Sequence, residues 1–548
     1  MPEPQADVNA RPMPATGESE PHQPIRRKRR RQIQPTPEKY EPKPVGRLAY
    51  LVLLLLTLAS YLPIFQSDLI WSAHDQEVRS AYQSMNRLAD AWTLESIRSG
   101  DPLTASSYFL EKRLPFPTAR VHHAINLLLH ISAACIFLKV LTALKLPAAF
   151  SAALVFALHP TVMQTIFWSG YREELVGLIL ILTALYFGIR YRSSLNYGFL
   201  LFFSALACLL HPAALVLPLI LMLVVIHQNR FLHLKDFNHL LPVFCLAVFI
   251  GIWTQSSGAP PDQPSTLPIS HASQNFFFYI EQSLLPTELS LFHPLRAPTE
   301  FTAGAQYTFL PVFLLIPFYV LILANYKKPW ARSVFVGLTA YLLLSLYGLF
   351  GAGKSLDGQP AHENHLHYIS LPFMLVLIVA PLGGIIGRLG SSGRVLWYVA
   401  FTILILLQSG IVTAYSMTVG KRASMWLEIS EQWPESWVPK LALVETIQRD
   451  KESRDLLTQV EQINMMEAAI KLKPDLKSIR IKLAQAYRAD GQNAQALRHY
   501  RWIARQEKPE EALLLEIADY YQTLDLTWEA QTTRDRIDEM YNSKQITP

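Results

Sequence analysis

The sequence predicts an all-α protein in two parts: a polytopic bundle of membrane-crossing helices, then a soluble array of helical repeats. Three observations predict it. Of the 548 residues, 51% are hydrophobic and only 17% are charged, where soluble domains carry about 25% charged residues. About eleven apolar stretches of roughly membrane-crossing length fall between residues 47 and 419. Past residue 420 the composition becomes soluble and the chain matches itself at a spacing of 34 residues, the period of a stacked helix pair.

Residues 1–46 are rich in Pro, Gln, Glu and Arg and contain the run Arg26–Arg31. Such a segment buries too little apolar surface to offset its ordering entropy, so it is predicted to be a disordered basic tail on the cytoplasmic side. The formal charge of +6 does not spread over a globular face. It crowds this tail and the short gaps between apolar runs, so no nucleic-acid partner is predicted. Anionic lipid is the natural counterpart. The tail is also too long for the charged region of an ordinary signal peptide.

The first predicted span is Leu48–Phe65, about 18 residues or roughly 27 Å of helix. Others begin near Val121, Ala148, Leu175, Tyr197, Ala213, Leu240, Phe309, Val334, His367 and Val395, with Pro160 and Pro212 breaking two boundaries. With the tail inside, the inner loops hold Lys139, Lys145, Arg190, Arg192, Arg230, Lys235, Lys327, Lys328, Arg332, Arg388 and Arg394. The opposite loops hold Asp75, Glu77, Glu173, Glu174, Glu281, Glu288 and Glu363. This asymmetry predicts a cytoplasmic N-terminus in the inner membrane and, with an odd number of spans, C-terminal repeats in the periplasm or its equivalent.

Three outer segments are long: about 67–118, 256–307 and 351–366. Long ordered loops on one face usually carry function. The first includes the helix-like stretch Asp75–Ile97, and the second the apolar patch Phe276–Tyr279, suited to lying along the membrane interface. In residues 420–548 the matched pairs are Leu483 with Ile517, Ala486 with Tyr520, Tyr487 with Tyr521, and Ala496 with Ala530. This is the tetratricopeptide spacing, with Gly491 at a turn, Pro474 and Pro509 closing units, and Ala468 and Ala469 in a degenerate unit over 435–474. Two roles are open to the array: a concave surface for a partner's peptide, or a helical spacer.

Candidate chemistry gathers on the outer face. Ten of sixteen histidines map there: His74, His122, His123, His159, His211, His271, His293, His362, His365 and His367. No HExxH or CxxC spacing occurs, so no metal site is predicted and a divalent ion has no ligand pattern behind it. Cys135, Cys208 and Cys245 fall within apolar segments, as buried free thiols would. Asp75, just beyond the first span, is placed to accept a proton from a hydroxyl, or simply to cap a loop helix. The stretch Trp168–Glu174 follows the His159-Pro160 break. There Arg172 either offers a fork-shaped phosphate donor beside an aromatic, or pairs with Glu173 or Glu174 at the headgroups.

Taken in order, Asp101–Thr104, Val121–His130, Ala152–Pro160, Trp168–Glu173, His211-Pro212, Tyr368–Pro372 and Lys421…Trp426 give a family resemblance. The chain from about residue 45 onward resembles the transmembrane-and-tetratricopeptide-repeat (TMTC-type) O-mannosyltransferases and their bacterial relatives. The resemblance implies a GT-C fold over 47–419 and repeats over 420–548. It also implies a polyprenyl-phosphate sugar donor, a hydroxyl acceptor on protein Ser/Thr, and Asp75 as general base. Arg172, His122, His159, His211, His367, Trp168 and Glu173 would line the substrate site. The chain departs from the family at Gln76, Asp101-Pro102, His211-Pro212 and Leu366-His367, where charged partners are usual. A catalytically degenerate membrane scaffold that binds an envelope partner through its repeats is therefore the alternative.

Overall fold

A computed structural model describes residues 45–67, 87–93, 102–115, 118–168, 170–191, 193–229, 233–255, 269–286, 289, 293–294, 310–350, 361–362, 364–386, 389–449, 451–506 and 510–542. Asp75 and the predicted tail through residue 44 lie outside the described residues, as does most of Asp75–Ile97. Within that stretch a 3-10 turn covers Leu88–Trp92.

Among the described residues the elements are all helices, apart from a two-residue antiparallel pairing of His293–Pro294 with Ala361–His362. That pairing ties two of the long outer segments together. The first part comprises α1 Arg47–Ser60, α2 Pro102–Glu111, α3 Thr118–Ala143, α4 Ala149–Ala157, α5 Met163–Phe167, α6 Arg172–Gly188, α7 Ser194–Leu210 and α8 Leu217–Asn229. It continues with α9 Leu234–Gln255, α10 Ile269–Leu284, α11 Leu310–Ala324, α12 Pro329–Phe350, α13 Asn364–His367, α14 Leu371–Ile386 and α15 Ser391–Val419. Apolar stretches this long become helices because a helix satisfies its own backbone where no water can.

Each of the eleven predicted stretches is helical. Among the described residues, five helices are long and apolar enough to cross a membrane: Ala119–Ala143, Pro212–Asn229, Asp236–Thr254, Trp330–Phe350 and Ser391–Val419. Ala149–Ala157 and Pro160–Phe167, bent by 48° at the proline, would make a sixth. The other apolar helices are shorter; α1, with 14 residues, gives way to the 3-10 turn Leu62–Gln66.

The apolar surface is divided in a way that suits a bilayer. Small and branched side chains of α3, α4 and α6 fill the centre, while Leu396 on α15 is 71% exposed and Phe313 on α11 is 66% exposed. Cys208 is buried, but Cys245 is exposed on α9, a departure from three buried thiols. The Phe276–Tyr279 patch also departs from its predicted interfacial lie. Phe276, Phe278 and Tyr279 are buried with Leu338 and Tyr341 of α12, and only Phe277 faces outward. The helical phase of α10 turns three of the four rings inward.

Helix directions follow from close contacts. Ser60 Oγ lies 2.6 Å from Ser409 Oγ, the Thr413 hydroxyl donates to the Ser60 carbonyl at 3.0 Å, and Ser67 further on meets Gly420, so α15 runs parallel to α1 and its continuation. Tyr61 meets His130, and Ser67 lies near His123, so α3 runs antiparallel to them. The end of the bundle where α1 and α15 finish is called the outer end below.

Beyond α15 come α16 Arg422–Gln432, α17 Val438–Arg449, α18 Gln459–Leu472, α19 Lys477–Ala489, α20 Asn493–Ala504, α21 Glu511–Thr523 and α22 Thr527–Ile537. The 34-residue match is a physical repeat: α19 packs on α20 as α21 packs on α22. Gly491 (φ 73°) and Asp525 (φ 58°), 34 apart, both take the left-handed turn. Each turn is closed by the same bond, Gln492 N–H to Tyr487 O and Leu526 N–H to Tyr521 O, both 2.9 Å. Leu483, Ile517, Ala496 and Ala530 are buried at the matched core positions.

Candidate functional site

A buried polar layer spans the outer end of the bundle. It collects the first turns of α3, α6 and α14 and the last turns of α4, α7 and α10.

Its most charged element is built around Arg172, fully buried at the start of α6. Nε donates to Asn126 Oδ1 at 2.9 Å and Nη1 to Ser107 Oγ at 2.9 Å. Nη2 donates to Glu111 Oε2 at 2.8 Å and lies 2.8 Å from His122 Nδ1. The Tyr108 ring covers the guanidinium, 4.3 Å from Cζ. Asn126 is held in this orientation because its Nδ2 donates to the Ile166 carbonyl at 3.1 Å. Burial raises the Glu111 pKa, but His122 and Arg172 outweigh that effect and hold the carboxyl below its ordinary value. The helix α2 therefore lies over the bundle, pinned by one buried ion pair.

Two residues further along α6, Glu174 faces His211, with Oε2 3.1 Å from Nε2 and both side chains buried. The Ala213 N–H donates to His211 Nδ1 at 3.1 Å, capping the 3-10 turn Pro212–Val216. That bond leaves Nδ1 unprotonated, so the ring proton sits on Nε2, toward Glu174. The N–H is off the line of approach, and neither atom forms another hydrogen bond among the described residues. Gly177 makes the approach possible, since a Cβ there would stand 3.2 Å from His211 Cβ.

The third element links the end of α4, α10 and α13. Ser283 gives its hydroxyl proton to the Tyr279 carbonyl at 2.6 Å, so its oxygen accepts from His367 Nε2 at 2.8 Å. His367 Nδ1 then accepts from Ser370 Oγ at 2.9 Å, and the ring stacks on Tyr279 with centroids 4.6 Å apart. His159 Nε2 donates to the Ser283 carbonyl at 3.3 Å, and its Nδ1 meets Thr161 Oγ1 at 2.8 Å. His130 bridges Tyr368 OH and the Ala157 carbonyl, while Trp168, Tyr171 and His365 form a continuous aromatic stack.

The fold thus gathers Arg172, His122, His159, His211, His367 and Trp168 into one layer, all buried. Glu173 is only half-buried, and its neighbour Glu174 is the inward carboxylate, in helical phase with Leu178 and Ile181. Asp75 lies outside the described residues. Sequence reasoning did not single out Glu111 or Ser283, and it quoted Asn126, His130 and Tyr368 only within the motifs of the resemblance, without naming them as site residues. The phase of α6 would have selected Glu174, but nothing local announces Glu111, whose partner is 61 positions away. Among the described residues no three His, Cys, Asp or Glu side chains converge as metal ligands do. Four of the five Arg172 N–H groups are thus taken by Asn126, Ser107, Glu111 and His122. No protein-family profile matches the chain, and no curated protein matches it.

Proposed function

We propose that the chain is a membrane glycosyltransferase of the GT-C type, moving a sugar from a polyprenyl-phosphate donor to a hydroxyl acceptor, a protein Ser or Thr. In this reading all eleven apolar helices span the inner membrane, the basic tail is cytoplasmic, and the helix pairs form an extracytoplasmic tetratricopeptide solenoid. Asp75 takes the acceptor proton, the freed oxygen attacks the anomeric carbon, and the lipid phosphate leaves. Departing phosphate develops negative charge, and Arg172 is the cation nearest to receive it once α2 releases it. His122, His159, His211 and His367 shape the site with Trp168 and Glu173.

One observation carries this reading. The segment that leads to Asp75, the buried polar layer and the start of the repeats all sit at the same end of the bundle. An acceptor held by the repeats and a donor entering the layer would then share one compartment. Replacing Asp75 with Asn tests it: transfer, read as the glycoprotein and glycolipid difference between a deletion strain and its complemented parent, is lost while membrane insertion is unchanged. Full transfer by the variant contradicts the assignment.

A second reading is a catalytically degenerate scaffold whose repeats hold an envelope partner. It is favoured by the Arg172 network, four of whose five N–H donors are already taken up by the protein's own groups. Stoichiometric capture of a partner by the full chain, together with a harmless Asp75→Asn change, selects it.

A further inference from the structure

At the end of the bundle opposite the repeats lies a cavity enclosed by α3, α6, α8, α12 and α14. Its empty volume, mouth included, is about 870 Å³. Phe137, Leu182, Ile220, Val336 and Val376 represent its lining, and among the described residues His227 and Ser333 are its only polar side chains. Water needs two to four polar partners to occupy such a space, and this wall does not supply them. An apolar chain covers such a lining without leaving a polar group unpaired, so it is the fitting occupant.

Two cations beside the lining specify what that chain is attached to. Lys145 lies between the lining residues Leu144 and Leu146, and Arg332 immediately precedes the lining residue Ser333. Neither cation forms an ion pair among the described residues. Lys145 also stands with φ 56° at the position that closes α3, where its successor bonds back to the Leu141 carbonyl at 3.1 Å. Glycine is the ordinary residue in that left-handed position. A lysine there accepts backbone strain and sets a charge beside the lining residues Leu144 and Leu146.

We infer that this cavity binds one acyl chain of an anionic phospholipid, with Lys145 and Arg332 holding the headgroup phosphate. The site is separate from the outer polar layer and does not depend on the transferase reading.

Native mass spectrometry of the full chain from detergent tests it, using dioleoyl phosphatidylglycerol and dioleoyl phosphatidylcholine as probes. The expected result is retention of phosphatidylglycerol alone. Its occupancy then falls about tenfold or more in the Lys145→Gln/Arg332→Gln double variant, as two membrane-facing cations imply, and falls also in Val376→Phe, which fills the cavity. Equal retention of both lipids, or undiminished phosphatidylglycerol in the double variant, overturns the site. Displacement by free glycerol phosphate overturns the role of the acyl chain. Should Val376→Phe fail to fold, the double variant, altered only beside the lining, decides by itself.

Discussion

Ser67 and Gly420 pack against each other where the first and last apolar helices end: a Cβ built on Gly420 would stand 3.7 Å from Ser67 Cβ. Ser67 opens the segment that carries Asp75, and Gly420 opens the repeats. The two regions therefore leave the bundle side by side, whichever way the bundle sits in its membrane.

The Arg172–Glu111 pair predicts an asymmetric mutational cost. Arg172→Met or Glu111→Leu alone strands a buried charge and should destabilise by about 3–5 kcal/mol. The double variant should recover much of that loss, because neither charge then remains to be desolvated. Thermal unfolding of the detergent-solubilised chain checks both.

The same pair sets an acid limb. Glu111 has a lowered pKa in the folded chain, so its stabilising contribution is complete above the unfolded carboxylate value, about 4.3. It is lost as pH falls further, through the folded pKa. Unfolding temperatures measured downward from neutral pH should drop in that acid range, and Glu111→Gln should flatten the drop.

Gly348 sets a steric limit near His367. Alanine is ordinarily favoured over glycine inside a helix by about 0.5–1 kcal/mol. Here its Cβ would stand 2.9 Å from the Leu366 carbonyl oxygen and 2.9 Å from the Tyr279 hydroxyl. Overpacking against backbone costs about 1–3 kcal/mol, so Gly348→Ala should destabilise despite its better helix propensity. A raised unfolding temperature would show that α12 can shift away.

The repeat turns predict opposite signs at equivalent positions. Gly491→Ala places a side chain in the left-handed region, at a cost of about 1–2 kcal/mol. Asp525→Gly removes such a side chain and should stabilise by a few tenths to about 1 kcal/mol. Hydrogen exchange across residues 477–537 of the full chain reads both effects.

Much of this fold was legible because its signals are local. Apolar stretches become helices wherever the backbone must satisfy itself, and the 34-residue match placed Gly491 at its turn. Its equivalent, Asp525, was less visible because aspartate does not announce a left-handed residue as glycine does. The candidate site was legible by residue type but not by partner. Arg172, His122 and His211 stood out, yet Glu111 and Ser283 reach their histidines only through tertiary packing. Glu173 was preferred to Glu174 because neighbouring acids look alike until helical phase is applied. The Phe276–Tyr279 patch misled for a related reason: apolar rings mark burial without saying whether lipid or protein covers them.

The most direct measurement is sidedness. In a chain whose three cysteines are replaced by alanine, Glu77→Cys and Ser543→Cys are labelled separately in intact cells with a membrane-impermeant maleimide. Both should react from the same side. Labelling of one with protection of the other until lysis would contradict the shared compartment.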